Sequence, residues 1–488
     1  MKLSNQTLAE IPADVPRPSY DRSALRPGIV HLGVGHFHRA HQALYLDDLM
    51  QRGAAISWAI CGVGLTPGDV RMKQVMAGQD GLYTLTEKAS DGDFSSRVVG
   101  SICDYHFAPD DPEAVIARIA DRATGIVSLT ITEGGYEVDD NTGEFAPRSE
   151  AVLADLAAPR ASRSAFGLVV EALRARRDSG IGGLTIMSCD NVQGNGHVAA
   201  TAFLGFAQRK DPELAEWIRG NVTFPNSMVD RVTPGTVEAD RAYLRATHGI
   251  DDAWPVTCEP FRQWVLEDKF VAGRPPFEDV GVEVVDDVVP YELMKLRIAN
   301  GVHQALCYFG TLVGLSFVHE AVHDPDINAM LLRYIDREAV PTLDPIPAVD
   351  FHAYGRTVLE RFGNPQIKDP LTRICEDTSD RIPKFLLPGT RAQLDAGRQV
   401  NVSAAVVASW ARYAEGVDET GAHLDVRDPR SAELMAAAAR QHREPLAFLT
   451  RREIFGDLIE DAAFTQAYQW ALTGLHERGA RAVLRELA

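Results

Sequence analysis

Ile29-Val-His-Leu-Gly-Val-Gly35 is a short apolar run that closes on two glycines. Directly after it, Phe37 to Arg52 has helical periodicity through Ala40, Ala43, Leu44, Leu46, Leu49 and Met50, with Asp47 and Asp48 facing out. Strand, glycine turn and helix in that order form the opening of a dinucleotide-binding unit. Glycines let the backbone approach a pyrophosphate, and the first amides of the following helix can hold it. Gly33, Gly35, His36 and Phe37 are therefore candidate cofactor contacts. The third glycine of the usual fingerprint is missing, so a βα turn without ligand is the alternative reading.

A second strand, Ser57-Trp-Ala-Ile-Cys-Gly62, leads into Val63-Gly-Leu-Thr-Pro-Gly-Asp69. An acid past the second strand holds an adenosine ribose diol and repels a 2′-phosphate. Asp69 is the candidate, which favours NAD over NADP; its alternative is an ordinary loop acid. His31, His36, His38 and His41 fall close together but lack metal-site spacing and accompanying thiols, so no metal is assigned to them.

Strand and helix signals continue to alternate. Thr84 to Glu87 and Arg97 to Ile102 read as strands, and Glu113 to Asp121 as a helix. Gly125 to Thr132 reads as a buried strand ending at Glu133, and Ser164 to Arg177 as a helix. Leu184 to Cys189 is another buried strand, ending at Asp190-Asn191. This pattern predicts an α/β fold with a Rossmann-type, doubly wound, mostly parallel sheet. In such sheets ligands bind beyond the carboxyl ends of the strands, where Gly33, Gly35, Glu133 and Asn191 all fall. After Pro290 the pattern is helical, over roughly 291–312, 326–337, 349–362, 402–415, 430–443 and 463–487. The reading is a dinucleotide-binding domain over 1–285 and a mostly helical domain over 286–488.

The first of those helices, Tyr291 to Gly310, is apolar on most sides yet carries Glu292, Lys295, Asn300 and His303. At 100° per residue, Asn300 lies about 140°, His303 about 80° and Glu292 about 60° from Lys295. A buried lysine can lose its charge and act as a base. Neighbouring amide and imidazole groups can donate to an oxygen that gains charge. Glu292 can relay a proton or simply pair with a cation. The alternative for the whole stretch is a buried helix whose lysine snorkels to water.

The 488 residues carry a net charge of −19, which argues against nucleic acid or an anionic membrane as partner. The cysteines show no paired spacing, which suits reduced thiols and a cytoplasmic protein. Met1 to Arg26 lacks the pattern of a secretory leader. The longest apolar run, Ala299 to Val318, is broken by Asn300, His303 and Gln304, so no membrane span is expected.

Six stretches together resemble the polyol-specific long-chain dehydrogenases. They are Gly33-Val-Gly-His-Phe-His-Arg-Ala-His-Gln42, Ser128-Leu-Thr-Ile-Thr-Glu-Gly-Gly-Tyr136, Met187-Ser-Cys-Asp-Asn191, Phe224-Pro-Asn-Ser-Met-Val-Asp-Arg231, Cys258-Glu-Pro-Phe261 and Lys295 through His303. The resemblance is strongest to the mannitol branch of the family. It implies a linear polyol and its ketose, D-mannitol and D-fructose, interconverted with a nicotinamide cofactor and no metal. Lys295 would be the catalytic base, Asn191 and Asn300 would hold the reacting oxygen, and His303 would orient substrate and lysine. Asp230, Arg373 and Arg381 would bind the remaining hydroxyls, and a monomer is implied. The chain departs from the pattern at Arg381, where a lysine is expected, and at Gly68, where an acid often precedes Asp69. Fructuronate reductases tend to read Glu-Lys-Gly-Tyr where this chain has Glu133-Gly-Gly-Tyr136, which favours a neutral polyol. Arabinitol, sorbitol or a hexuronate are the alternatives within the class, and a non-catalytic NAD-sensing protein is the alternative outside it.

Overall fold

Strand side chains alternate between the two faces of a sheet, so a strand buried on both sides is apolar on both faces except where a polar side chain finds a buried partner. In the computed structural model, which describes residues 1–139, 142–160 and 162–488, this is how the first run behaves. Val30 and Leu32 join one core with Cys61, Val63, Val127 and Leu129, whereas Ile29 joins another with Ile60, Ile102 and Ile126.

The strands are β1 (Pro27–Leu32), β2 (Ala59–Gly64), β3 (Tyr83–Lys88), β4 (Phe94–Val99), β5 (Ile102–Phe107), β6 (Ile126–Leu129), β7 (Thr185–Ser188), β8 (Ser227–Asp230), β9 (Val256–Cys258), β10 (Gln263–Glu267) and β11 (Glu283–Val285). Five of them form a parallel sheet in the order β5-β2-β1-β6-β7. This is the Rossmann order, with the chain reversing direction across the sheet between β1 and β6. Two three-stranded sheets, β11-β10-β8 and β4-β3-β9, complete the unit. Contacts divide the chain into one unit of Met1–Ala89 with Asp93–Val289 and another of Ser90–Gly92 with Pro290–Ala488.

Three sequence expectations change here, the first being that Asp47, read as facing out, is fully buried. Arg97 to Ile102, read as one strand, is broken at Gly100 into β4, which pairs antiparallel with β3, and β5, which joins the parallel sheet. The Gly100 amide donates to Asp47 Oδ1 (2.9 Å) and its carbonyl accepts from Arg22 Nε (3.0 Å), so neither group is left for a continuous ladder. The helix expected over Phe37 to Arg52 is two helices, His36–Ala40 and Gln42–Gln51, parted at His41. His41 there turns its Nε2 to the carbonyl of Gln263 (2.9 Å).

The second unit is helical around one core. Its buried axis is Asn401–Tyr413, packed against Gly301–Leu312 and Ala462–Glu477. The reading found helices near Pro325–Tyr334, Phe351–Phe362 and Ser431–Ala438. It missed Thr378–Phe385 and Leu387–Asp395, which contain Pro383 and Pro388. Pro388 is tolerated because it sits in the first turn, where no intrahelical N–H is needed. No helix among the described residues is long and apolar enough to cross a membrane.

Gly33 and Gly35 separate cleanly. Gly33 has φ +93°, and a Cβ there would fall inside the carbonyl oxygen of Thr130; Gly35 has φ −123°, and a Cβ would meet only the Gly33 oxygen at 3.9 Å. Gly33→Ala should therefore cost about 3 kcal/mol or more, lowering the first thermal transition by about 5 °C or more. Gly35→Ala should leave it in place. Differential scanning calorimetry of the two variants checks this, and equal melting would be the contrary result.

Candidate functional site

The carboxyl edge of the parallel sheet is built around Gly33. Its amide donates to Val63 O (3.0 Å), while the Thr130 amide donates to Leu32 O (3.0 Å) and Thr130 Oγ1 to Gly33 O (2.6 Å). The ends of β1, β2 and β6 are thus locked together at one point. His31 belongs to the same lock, with Nδ1 2.8 Å from Ser128 Oγ and Nε2 2.9 Å from Thr130 Oγ1. His38 stacks on it, ring centroids 3.4 Å apart. Burial pushes His31 and His41 down to about 3, so both stay neutral. The histidine cluster holds the turn as uncharged, packed rings.

His36 and Phe37 open the short helix. His36 Nε2 lies 3.1 Å from Trp254 Nε1, which can only donate, so Nε2 accepts and the ring proton sits on Nδ1. Burial, with Arg39 and Arg71 adding to it, pushes His36 down to about 4. Phe37 stacks on His41 at 4.8 Å. Asp69 caps the turn after β2: its Oδ2 accepts from the amides of Leu65 (2.9 Å) and Thr66 (2.8 Å) and from Thr66 Oγ1 (3.0 Å). Its Oδ1 has no hydrogen bond among the described residues. The loop acid is therefore held rigidly at the strand end with one oxygen to offer.

Past β6, Glu133 starts a short 3₁₀ turn and is exposed, as is Asn191 past β7. Thr132, just before Glu133, has φ +66°, a strained conformation for a β-branched residue. Asp190 holds it there. Its buried carboxylate accepts from the amides of Ile131 (3.0 Å) and Thr132 (2.9 Å) and from Tyr136 Oη (2.7 Å). Burial raises its pKa against those bonds. The sequence reading passed over Asp190 in favour of its neighbour. The signal was present in the Asp-Asn pair at a strand end, but one residue could not be told from the other. Asp230 ends β8, paired with Gln263. The next residue, Arg231, is buried and ties Ala40 O (2.7 Å) to Glu259 O (2.8 Å).

In the second unit the helix of Lys295 departs from the even 100° spacing. Val289–Met294 is α-helical, Lys295–Asn300 is a π turn, and the α-helix resumes at Gly301. The cause is local. The Gly301 amide reaches Leu296 O, five residues back, and so leaves the Arg297 carbonyl without its α-helical partner. Tyr334 Oη takes that carbonyl at 2.8 Å. A Cβ at position 301 would collide with the Tyr334 hydroxyl, so glycine is what admits the ring. A side chain inserted into the ladder is a recognised cause of such a break, and π turns cluster at functional sites. The helical angles expected between Lys295, Asn300 and His303 therefore do not hold, because the turn between them is wider.

Lys295 is 8% exposed and Glu292 4%, and neither lacks a partner. Asn300 is half-buried, and its amide makes no hydrogen bond among the described residues. His303 lies flat on Phe362, centroids 3.8 Å apart and planes within 5°. Tyr334 and Phe362, which fix the turn and the imidazole plane, carry no sequence signal, since each reads as ordinary core. Arg373 and Arg381 are brought together: Arg381 Nη1 donates to the carbonyls of Arg373 (3.0 Å) and Ile374 (3.3 Å). The Arg373 guanidinium forms a two-pronged pair with Asp369, Nε to Oδ1 at 2.6 Å and Nη2 to Oδ2.

Comparison with known proteins agrees across both units. The family description "Mannitol dehydrogenase Rossmann domain" matches residues 27–279, and "Mannitol dehydrogenase C-terminal domain" matches residues 287–475. A mannitol 2-dehydrogenase of Pyrenophora tritici-repentis is 44% identical, over 100% of this chain and 86% of its own length. Among solved structures, the Pseudomonas fluorescens mannitol 2-dehydrogenase in ternary complex with NAD and D-mannitol is 44% identical, with TM-score 0.90 over 100% of this chain and 99% of that one. A D-sorbitol dehydrogenase in substrate-free form is 39% identical, with TM-score 0.92 over 99% and 100%. Sheet order, helical second unit and full-length similarity lead to one conclusion: this chain belongs to the mannitol dehydrogenase family.

Proposed function

We propose that this protein is an NAD-dependent polyol dehydrogenase that interconverts D-mannitol and D-fructose, with Lys295 as general base. The observation that carries the proposal is a buried lysine opening a π turn that closes on Asn300, in a chain 44% identical to a mannitol 2-dehydrogenase solved with NAD and D-mannitol. The first unit suits a dinucleotide. Gly35 leaves open space at the switch between β1 and β6, and Asp69 Oδ1 is unengaged where a ribose diol would need an acceptor. Gly33, Gly35, His36, Phe37, Asp69 and Glu133 are assigned to this half.

NAD bound by these residues would supply the acceptor for the hydride that leaves the carbinol carbon. Lys295, uncharged, takes the hydroxyl proton as the C–H bond breaks, leaving a ketone and a lysine ammonium. Asn191 and Asn300 donate to the oxygen as it gains negative charge, a contribution of about 2.7–4 kcal/mol per donor when removed. His303, its plane held by Phe362, orients substrate and lysine. Glu292, one turn back, passes the proton on to water. Asp230, Arg373 and Arg381 hold the distal hydroxyls. Asp369 already compensates the Arg373 charge, which suits a neutral polyol over a hexuronate. D-sorbitol is the second reading, favoured by the 39% identical sorbitol enzyme and by Arg381 in place of lysine.

The test is a panel of D-mannitol, D-sorbitol, D-arabinitol and D-fructuronate followed by NADH absorbance, with Lys295→Ala beside the wild type. D-mannitol should give the highest kcat/KM. The variant should lose about 10²–10⁴-fold in kcat while NADH still binds by fluorescence. Near-normal turnover in the variant removes Lys295 from the reaction, and cofactor binding without turnover of any member points to a sensing protein. Asp69→Ala should relax the preference for NAD over NADP by about 10–100-fold; an unchanged ratio takes Asp69 out of the cofactor site. Tyr334→Phe should lower kcat about tenfold, because a buried carbonyl left without its partner costs about 1–3 kcal/mol and the π turn relaxes. The NADH dissociation constant should not move, and a kcat equal to wild type would show that Tyr334 does not set the turn.

A further inference from the structure

Glu415, His442 and His476 share no residue with the groups assigned to the reaction. Glu415 follows the buried helix Asn401–Tyr413, His442 follows Ser431–Ala438, and His476 lies in the last turn of Ala462–Glu477. All three thus stand at the carboxyl ends of helices, where unsatisfied carbonyls favour positive charge.

Their donor atoms converge. His476 Nε2 is 2.8 Å and His442 Nε2 3.5 Å from the same oxygen, Glu415 Oε1, and the two imidazole rings stack with centroids 4.2 Å apart. The three ligand atoms all lie within 4.8 Å of one another. A tetrahedral ion with ligands at about 2.0–2.2 Å separates them by about 3.4 Å, so only small side-chain shifts are needed. Glu415 Oε2 is held by Arg412 Nη1 at 3.0 Å, an outer partner that fixes the carboxylate while its charge opposes a cation. Gln441 Nε2 also reaches Glu415 Oε1, and its own buried Oε1 has no hydrogen bond among the described residues. The His442 side chain is 60% exposed, which leaves a path for an ion and room for a water ligand.

We infer that Glu415, His442 and His476 form a binding site for a divalent transition cation of the zinc class, with solvent completing the coordination and the ion tying three helix ends together. Two imidazoles and one carboxylate suit Zn²⁺, Ni²⁺ or Cu²⁺, not Mg²⁺ or Ca²⁺, which take all-oxygen shells. A second histidine-containing group, Cys61, Asp104 and His106, offers a fully buried thiol that burial keeps protonated, and is the weaker candidate.

The experiment titrates chelator-stripped, full-length protein with ZnCl₂ by calorimetry, beside His442→Ala and His476→Ala, and repeats it with MgCl₂. Each titration is paired with a melting curve. Wild type should bind Zn²⁺ at one site that both variants weaken at least tenfold, with no response to Mg²⁺. Zn²⁺ should raise the melting temperature of wild type and not of His442→Ala. His442 is on the surface, so its variant should melt like wild type without metal. Absence of Zn²⁺ binding in wild type overturns the site, as does binding of equal strength in His442→Ala.

Discussion

A helix buried on nearly every side cannot carry ionisable groups unless its surroundings are arranged for them, because an unpaired charge in an apolar interior costs several kcal/mol. Lys295 and Glu292 sit on such a helix, almost wholly out of water. Both have partners, and the helix is in addition broken where Lys295 stands. Tyr334 captures one carbonyl, Gly301 makes room for the ring, and the turn between Lys295 and Asn300 widens. Two core residues with no chemistry of their own thereby set the spacing of the proposed base and its amide neighbour. Phe362 does the same for the plane of His303.

The first unit shows the same division between groups that react and groups that hold. The parallel order brings the ends of β1, β6 and β7 to one edge, and two devices fix that edge. One is the crowded crossing at Gly33, sealed by Thr130 and the neutral His31. The other is Asp190, which keeps Thr132 in a strained conformation and so aims the segment that begins at Glu133. Strain at the end of a strand persists only where its surroundings over-determine it, and three hydrogen bonds to one carboxylate do so here.

Charge is handled locally. With a net charge of −19 the chain offers no general field for anions. The arginines proposed for substrate, Arg373 and Arg381, are themselves tied, one to Asp369 and the other to backbone carbonyls. Asp369 offsets the Arg373 charge, whereas Arg381 is oriented by neutral carbonyls and keeps its own.

The parallel sheet was legible in the sequence because strands buried on both faces read as short, mainly apolar runs, and the helical second half because its apolar residues recur at helical spacing. The glycine turn was legible from its strand-glycine-helix pattern, and Lys295, Asn300 and His303 stood out as polar residue types in an otherwise apolar helix. The break at Gly100, the parting of the first helix at His41, the π turn and the anchoring by Asp190 were not. Each is decided by a partner far away in the chain or by one of two adjacent residues that read alike: Arg22 for Gly100, Gln263 for His41, Tyr334 for Arg297. Local pattern determined most of the segments that are strands and helices, though not the two helices that contain Pro383 and Pro388. Only the tertiary structure could decide where they bend, since a backbone group gives up its regular hydrogen bond only when a distant side chain or carbonyl supplies another.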